Sequence, residues 1–476
     1  MIARRAVAAV LAVAAVPLAL MLSGCVRTER YRYVQRQDPC FSPPPDADPV
    51  PGAAGEKRPY PSIDCRSTRY KTGFIEFDQQ GGHIDPDQAK KVLALIAHEK
   101  AHVTGGKVIT LVYVHGWKNN GNLAPPGKVK DVERFTTALN EIGRRAKLAS
   151  PNNPVPIIGV YIGWKGKSLM GPGWFNWLSY WGRRNTANRI GGQSLTKVLN
   201  DIIDTTTPNN ADKSRVLFVG HSFGARVLEH AVENGVKLYE PEVKEAAIPV
   251  RTRVDLVLYV NAANDARLSM GRLQKLQAEP IAVRHPDYDP VRCAKAPPQD
   301  PTCKAYPLIV AITSRGDQAT KFLQPIATRL NRDGNSAPNP QPITGTFLDE
   351  TPSMGRLRRS APGHLKFMHS HLVTEVDCPL EPGERVTCAA NDPTCAFAFR
   401  SPGEDAACFK ANVRVPAEAK RPYNETAFWI MDVDTRIVKD HNDIWNLSML
   451  NMLGELMAPR GFFEPEKERM RIQTVR

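Results

Sequence analysis

The residues most able to do chemistry are Gly220-His221-Ser222-Phe223-Gly224, a G-x-S-x-G pentapeptide. A buried-type apolar run, Val216-Leu217-Phe218-Val219, precedes it. Helical apolar spacing follows at Phe223, Val227, Leu228, Ala231 and Val232. A serine between strand and helix occupies a tight, strained turn that lifts its hydroxyl to the carboxyl edge of a sheet. The glycines remove side chains that would collide there, and the helix N-terminus adds partial positive charge near a developing oxyanion. That is the apparatus of a serine nucleophile. A rival pattern is His98-Glu99-Lys100-Ala101-His102, which spells H-E-x-x-H. On a helix its imidazoles would share a face and could bind zinc. Here it falls on the polar last turn before Gly105-Gly106, with no third ligand in metzincin spacing, so no metal or organic cofactor is expected.

The elements around the pentapeptide alternate. Strand-like runs occur at Thr72–Phe77, Val108–Val114, Ile157–Ile162, Arg215–Val219, Val254–Val260, Leu308–Thr313 and Phe428–Val433. Helical spacing occurs at about 86–101, 129–148, 187–204, 223–234 and 443–457. Continuous apolar β-rich runs alternating with helices predict an α/β fold with a mostly parallel sheet covered on both faces.

With this context the chain resembles the α/β-hydrolase superfamily, in particular bacterial esterase- and lipase-like members, over about residues 70–460. The resemblance implies more than the pentapeptide. His115-Gly116-Trp117 would be an oxyanion turn, with the amides of Trp117 and Phe223 as donors. The family order is serine, acid, histidine. It puts the acid at Asp317, just after Leu308–Thr313, with Asp265 as runner-up. It puts the histidine at His441, ahead of the final helix, rather than at His364, His369 or His371. The implied activity is hydrolysis of carboxylic esters, lipids among them, through an acyl-enzyme. The alternatives are a non-catalytic envelope scaffold or an acyltransferase.

The amino terminus predicts the compartment. Arg4 and Arg5 precede an apolar stretch, Ala6–Met21, ending in Leu22-Ser23-Gly24-Cys25. This is signal-peptide patterning, and its ending resembles the bacterial lipobox. The resemblance implies cleavage before Cys25 and a lipid on its sulfur. Val26 in the next position favours the outer membrane by the same resemblance. The expected organisation is a leader (1–24), a lipid-anchored tether (25–66), a hydrolase core (67–334), a Pro/Cys-rich insertion (335–425) and the end of the core (426–476). Nine cysteines leave eight once Cys25 is set aside. An oxidising compartment suits disulfides, expected as Cys40–Cys65, Cys293–Cys303 and two within 378–408. A formal charge of +14 suits anionic lipid headgroups. Without a basic stripe interleaved with aromatics, no nucleic-acid partner is expected. The sequence sets no oligomeric state. Trp164, Trp174, Phe175, Trp177, Tyr180 and Trp181, among glycines, read either as packing on the sheet edge or as a lid or acyl-binding wall.

Overall fold

A computed structural model describes residues 30–34, 40, 60–103, 105–117, 119–122, 130–165, 175–209, 212–239, 252–278, 283–284, 292, 305–322, 325, 354–377, 395–400, 407–413 and 427–457. The leader and Cys25 lie outside them. Among the described residues, no helix is long and apolar enough to cross a membrane.

The described elements begin with short strands β1 (Arg32–Tyr33), β2 (Tyr60–Pro61) and β3 (Ile63–Asp64). There follow β4 (Lys71–Phe77), α1 (Pro86–His102), β5 (Ile109–Val114), α2 (Asp131–Ala149), β6 (Ile157–Trp164), α3 (Phe175–Ile190), α4 (Gln193–Thr206), β7 (Arg215–His221) and α5 (Phe223–Glu233). Next are β8 (Leu256–Val260), α6 (Ala266–Ala278), β9 (Val283–Arg284), β10 (Ala305–Tyr306), β11 (Ile309–Ser314) and α7 (Met354–Arg359). The last are β12 (His371–Val376), β13 (Cys395–Arg400), β14 (Cys408–Val413), β15 (Phe428–Val433) and α8 (Leu447–Met457).

Among the described residues eleven strands form one sheet, in the order β13-β14-β12-β15-β11-β8-β7-β5-β6-β4-β3. From β12 to β4 every neighbouring pair is parallel. Alternation along the strands explains the two layers. On β5, Val112 and Val114 join the core under α1, α4, α5 and α6, while Ile109, Leu111 and Tyr113 join the core under α2 and α8. The fold class expected from the sequence is the one observed.

Two boundaries differ from expectation. The single helix predicted over 187–204 is two, α3 and α4, parted at Gly191-Gly192. A Cβ at Gly191 would lie 2.4 Å from the Val227 carbonyl oxygen, so this close approach to α5 admits only glycine. Helix α8 starts at Leu447 instead of Asp443, because the Asn446 side chain accepts from the Met449 amide (2.8 Å) and fixes the first turn there. The Pro/Cys-rich insertion continues the sheet: β12 pairs in parallel with β15, and β13 and β14 add antiparallel beyond it.

The expected tether also departs from a free linker. Residues 30–34 and 60–66 lie on the sheet edge, where β1 pairs with β2 and β3 pairs with β4. Glu76 draws them in. Its carboxylate accepts from the backbone amides of Tyr31 (3.2 Å) and Arg32 (2.9 Å). Arg32 donates to the Gly121 carbonyl (2.7 Å), and its guanidinium lies 3.6 Å from the centre of the Phe74 ring. A Cys40–Cys65 disulfide, the pair expected, staples the same region. Cys395 and Cys408 are also disulfide-bonded. They stand at opposite ends of the β13–β14 ladder, opposite Asn412 and Arg400 respectively, too far apart to be bonded to each other. The other expected pairings involve residues outside those described.

The Cys40–Cys65 bridge closes a 25-residue separation. Loop-closure entropy predicts that a Cys40→Ser/Cys65→Ser variant loses roughly 3–4 kcal/mol. Urea denaturation of the variant beside the wild type measures the loss.

Candidate active site

The site is built on strand ends. Ser222 joins β7 to α5 with φ 56° and ψ −119°, a conformation that L-residues with a Cβ rarely adopt. Neighbouring backbone holds it there. The Ser222 amide donates to the Val260 carbonyl (3.0 Å), and the Ser222 carbonyl accepts from the Ala263 amide (3.1 Å). The flanking glycines are required by contact. A Cβ at Gly220 would lie 2.5 Å from Ala225 Cα, and one at Gly224 would lie 2.0 Å from the Val114 carbonyl oxygen.

The end of β5 packs directly on this turn. A Cβ at Gly116 would lie 2.9 Å from both Ser222 Cβ and His221 Nδ1. Gly116 therefore lets the 115–117 backbone rest on the serine, with Trp117 next in the chain and Phe223 as the first residue of α5. The His115 ring is a brace. Its Nδ1–H donates to the Gly116 carbonyl (2.9 Å) and its Nε2 accepts from the Trp164 amide (3.0 Å). Trp164 Nε1 donates back to the His115 carbonyl (2.9 Å). Burial pushes the His115 pKa down to about 4, so the ring is neutral, as this pattern of one donor and one acceptor requires.

The structure brings Ser222, Asp317 and His441 together. His441 Nε2 lies 2.8 Å from Ser222 Oγ, and His441 Nδ1 lies 2.8 Å from Asp317 Oδ1. These three residues come from the ends of β7 and β11 and from the loop after β15. Asp317 is fully buried. Burial alone would raise its pKa. Hydrogen bonding and charge interaction with His441, and hydrogen bonds from Thr320, outweigh burial and hold it below the usual carboxylate value. The Thr320 amide donates to Oδ1 (3.1 Å) and the Thr320 hydroxyl donates to Oδ2. Behind it, His364 Nε2 lies 2.7 Å from Thr320 Oγ1, so this histidine backs the carboxylate through threonine. His369 bonds the Gly363 carbonyl and His371 bonds Ser370. Asp265, the runner-up acid, pairs with Arg184 (2.8 Å) and Arg226 (3.5 Å).

Two positioning residues escaped the sequence reading. Asn261 follows β8 at φ 46°. Its side-chain amide donates to the carbonyls of Asp440 and His441 (both 3.1 Å), and its Oδ1 accepts from the Ser314 amide (2.9 Å). It thus joins the β11 end to the loop that carries the imidazole. His221 does similar work, its Nε2–H donating to the His441 carbonyl (2.7 Å). Burial, then the neighbouring His441, push its pKa down to about 3. The available signal for Asn261 was an asparagine immediately after a buried strand, where left-handed backbone favours that residue.

The H-E-x-x-H stretch is packed as surface helix. The His98 and His102 rings stack at 3.8 Å, and Glu99 pairs with Lys71. Among the described residues, no group of three or more His, Cys, Asp or Glu could hold a metal. Trp164 is buried against His115; the rest of the aromatic stretch, 166–182, has side chains outside those described.

No family profile matches the chain, and no curated protein does. Two solved structures resemble it remotely. An uncharacterized protein from Pseudomonas aeruginosa has 9% identity and a TM-score of 0.25, over 52% of this chain and 42% of that one. Phospholipase PlaB from Legionella pneumophila has 12% identity and a TM-score of 0.22, over 65% of this chain and 51% of that one. The chain thus spans about half the length of each or less, and at these TM-scores neither likeness carries an argument about it.

Replacing Asn261 by Ala removes the side-chain partner of the Ser314 amide and the Asp440 carbonyl, leaves the His441 carbonyl with His221 alone, and lowers stability by about 2–3 kcal/mol in urea denaturation. The pH dependence of His221 has a definite sign. Its folded pKa, about 3, lies below the ordinary 6.5. The unfolded chain therefore takes up the proton first as pH falls. Its contribution is full above pH 6.5 and declines toward pH 3. The stability advantage of wild type over His221→Gln then shrinks by roughly 1.4 kcal/mol per pH unit between pH 6 and 4, read by denaturation at each pH.

Proposed function

We propose that the chain is a serine hydrolase of carboxylic esters. The observation that carries this is the continuous contact from Ser222 Oγ to His441 Nε2 and from His441 Nδ1 to Asp317, each at 2.8 Å. In this mechanism Ser222 attacks the ester carbonyl while His441 Nε2 takes the hydroxyl proton. Asp317 holds the Nδ1–H tautomer and balances the imidazolium. The amides of Phe223 and Trp117 donate to the oxyanion; removing one such donor elsewhere costs about 3–4 kcal/mol of barrier. His441 protonates the departing alkoxide, leaving an acyl-serine. Water, deprotonated by the same imidazole, releases the acid and restores the serine. Every proton moved in the cycle passes through His441, and no metal or organic cofactor is invoked.

For location, we propose the expected lipid on Cys25, holding the chain to a bacterial envelope membrane, the outer one by the Val26 signal. Lipid esters are then the substrates most accessible to it.

Ser222→Ala is expected to abolish both labelling by a fluorophosphonate probe and hydrolysis of p-nitrophenyl butyrate. Asp317→Asn is expected to lower kcat about 10⁴-fold by favouring the wrong histidine tautomer. Wild-type protein that neither takes the probe nor turns over the ester is a binding scaffold. Transfer of the acyl group to an added alcohol in preference to water identifies an acyltransferase.

A further inference from the structure

We infer that the catalytic edge of the sheet faces the very membrane that anchors the chain, so that its substrates are esters of lipids in that same leaflet. This rests on the hydrolase and lipid-anchor readings above. The new element is where the amino-terminal segment enters the fold.

It enters at the carboxyl edge. Arg30 pairs with Asp85, the residue capping α1 just past β4. The amides of Tyr31 and Arg32 donate to Glu76, next to the last residue of β4. Gln88 Nε2 donates to the Arg32 carbonyl (3.0 Å), and Arg32 Nε donates to the Gly121 carbonyl (2.7 Å). Gly121 lies in the same post-β5 segment as Gly116, which rests on Ser222. In the sheet, β4 is separated from β7 by β6 and β5, three strand spacings or roughly 14 Å. The strands from β4 to β7 are parallel, so this entry point and the nucleophile share one edge.

The leash is short. Only Val26 to Arg30 separate Cys25 from Tyr31, a contour of at most roughly 20 Å. Arg32 is 3% exposed, so the clamp is part of the fold rather than a loose surface contact. A lipid on Cys25 therefore holds the β4 end of the catalytic edge close to the headgroups. Turning the other edge to the membrane would require the leash to run past the whole sheet, whose β6 alone spans eight residues, about 25 Å. Beyond the leader the formal charge is +12, the +14 of the whole sequence less Arg4 and Arg5, and it favours approach to an anionic surface.

The test uses the full lipidated chain, purified from bacterial membranes and reconstituted in phosphatidylethanolamine/phosphatidylglycerol vesicles. Dyes are placed on exposed residues by Gln80→Cys, just beyond β4 on the catalytic edge, or by Asn152→Cys, before β6 on the opposite edge. Energy transfer to a headgroup-labelled lipid is expected to be about twofold or more stronger from position 80, given the ~25 Å between edges. Inserting about 20 Gly/Ser residues between Val26 and Arg27 is expected to equalise the two dyes. It should also lower hydrolysis of ester lipid in the protein's own vesicles on the order of tenfold, as effective concentration falls with linker length, while p-nitrophenyl butyrate turnover is unchanged. Equal transfer from both dyes without the insertion, or protein that does not float with the vesicles, overturns the inference. Turnover of p-nitrophenyl butyrate that depends on Ser222 decides the hydrolase reading separately, whichever way the dyes report.

Discussion

Much of this architecture is arranged around a single strained residue. At φ 56° the Ser222 backbone is in a region that costs of order 1–3 kcal/mol and persists only when its surroundings over-determine it. Here they do so from three sides. Strand β8 takes the Ser222 amide and the loop after β8 takes its carbonyl. The end of β5 lies so close that neither Gly116 nor Gly224 has room for a methyl group. Relaxing the turn would break these contacts together. The strain is therefore held by the strongest part of the molecule, the central parallel strands whose inward side chains are almost wholly buried.

The imidazole poses the opposite problem. It arrives 219 residues after the serine, on a loop beyond the last strand of the parallel series. A loop has no ladder of its own to set its position. The fold supplies one from side chains: Asn261 and His221 both donate to the His441 carbonyl, and Ser314 bonds the Val438 carbonyl. These donors stand at the ends of β8, β7 and β11; β7 and β11 also carry Ser222 and Asp317, and β8 lies between them. A shift of one strand end would move both halves of the site together, which preserves their spacing. His221 is suited to this role because burial keeps its ring neutral, so its donating Nε2–H does not add a charge beside His441.

What could be read from the sequence follows this division. The strands are continuous apolar runs and the elbow glycines are dictated by contact, so both leave marks in a few adjacent residues. Placing Asp317 and His441 needed more, namely the order in which a resembling family uses its residues. Asn261 left almost no mark, because its importance comes from partners at 314, 440 and 441 that only the folded chain assembles. The same is true of Thr320 and His364 behind Asp317. The β12–β14 extension was hidden for another reason: its strands are only partly buried and lack the continuous apolar runs of the central strands, and its composition of proline and cysteine reads as a break in the α/β rhythm.

The amino-terminal clamp reads as linker on the same compositional ground, and its energetics explain why it is there. Arg32 and Glu76 are both buried, and burial is the leading influence on each, lowering Arg32 to about 10 and raising Glu76. A buried pair of this kind is weak evidence for stability, because desolvation offsets much of the attraction. What it does provide is registry. Glu76 accepts from two successive backbone amides and from the Gln88 side chain, while Arg32 reaches Gly121. A slipped segment would leave a carboxylate and a guanidinium buried without these partners, at a penalty of several kcal/mol. An apolar contact of equal area would hold the segment as tightly yet tolerate sliding. The polar clamp thus sets one position for the point where the chain enters the fold, and that point is fixed relative to Ser222 through β4, β6, β5 and β7.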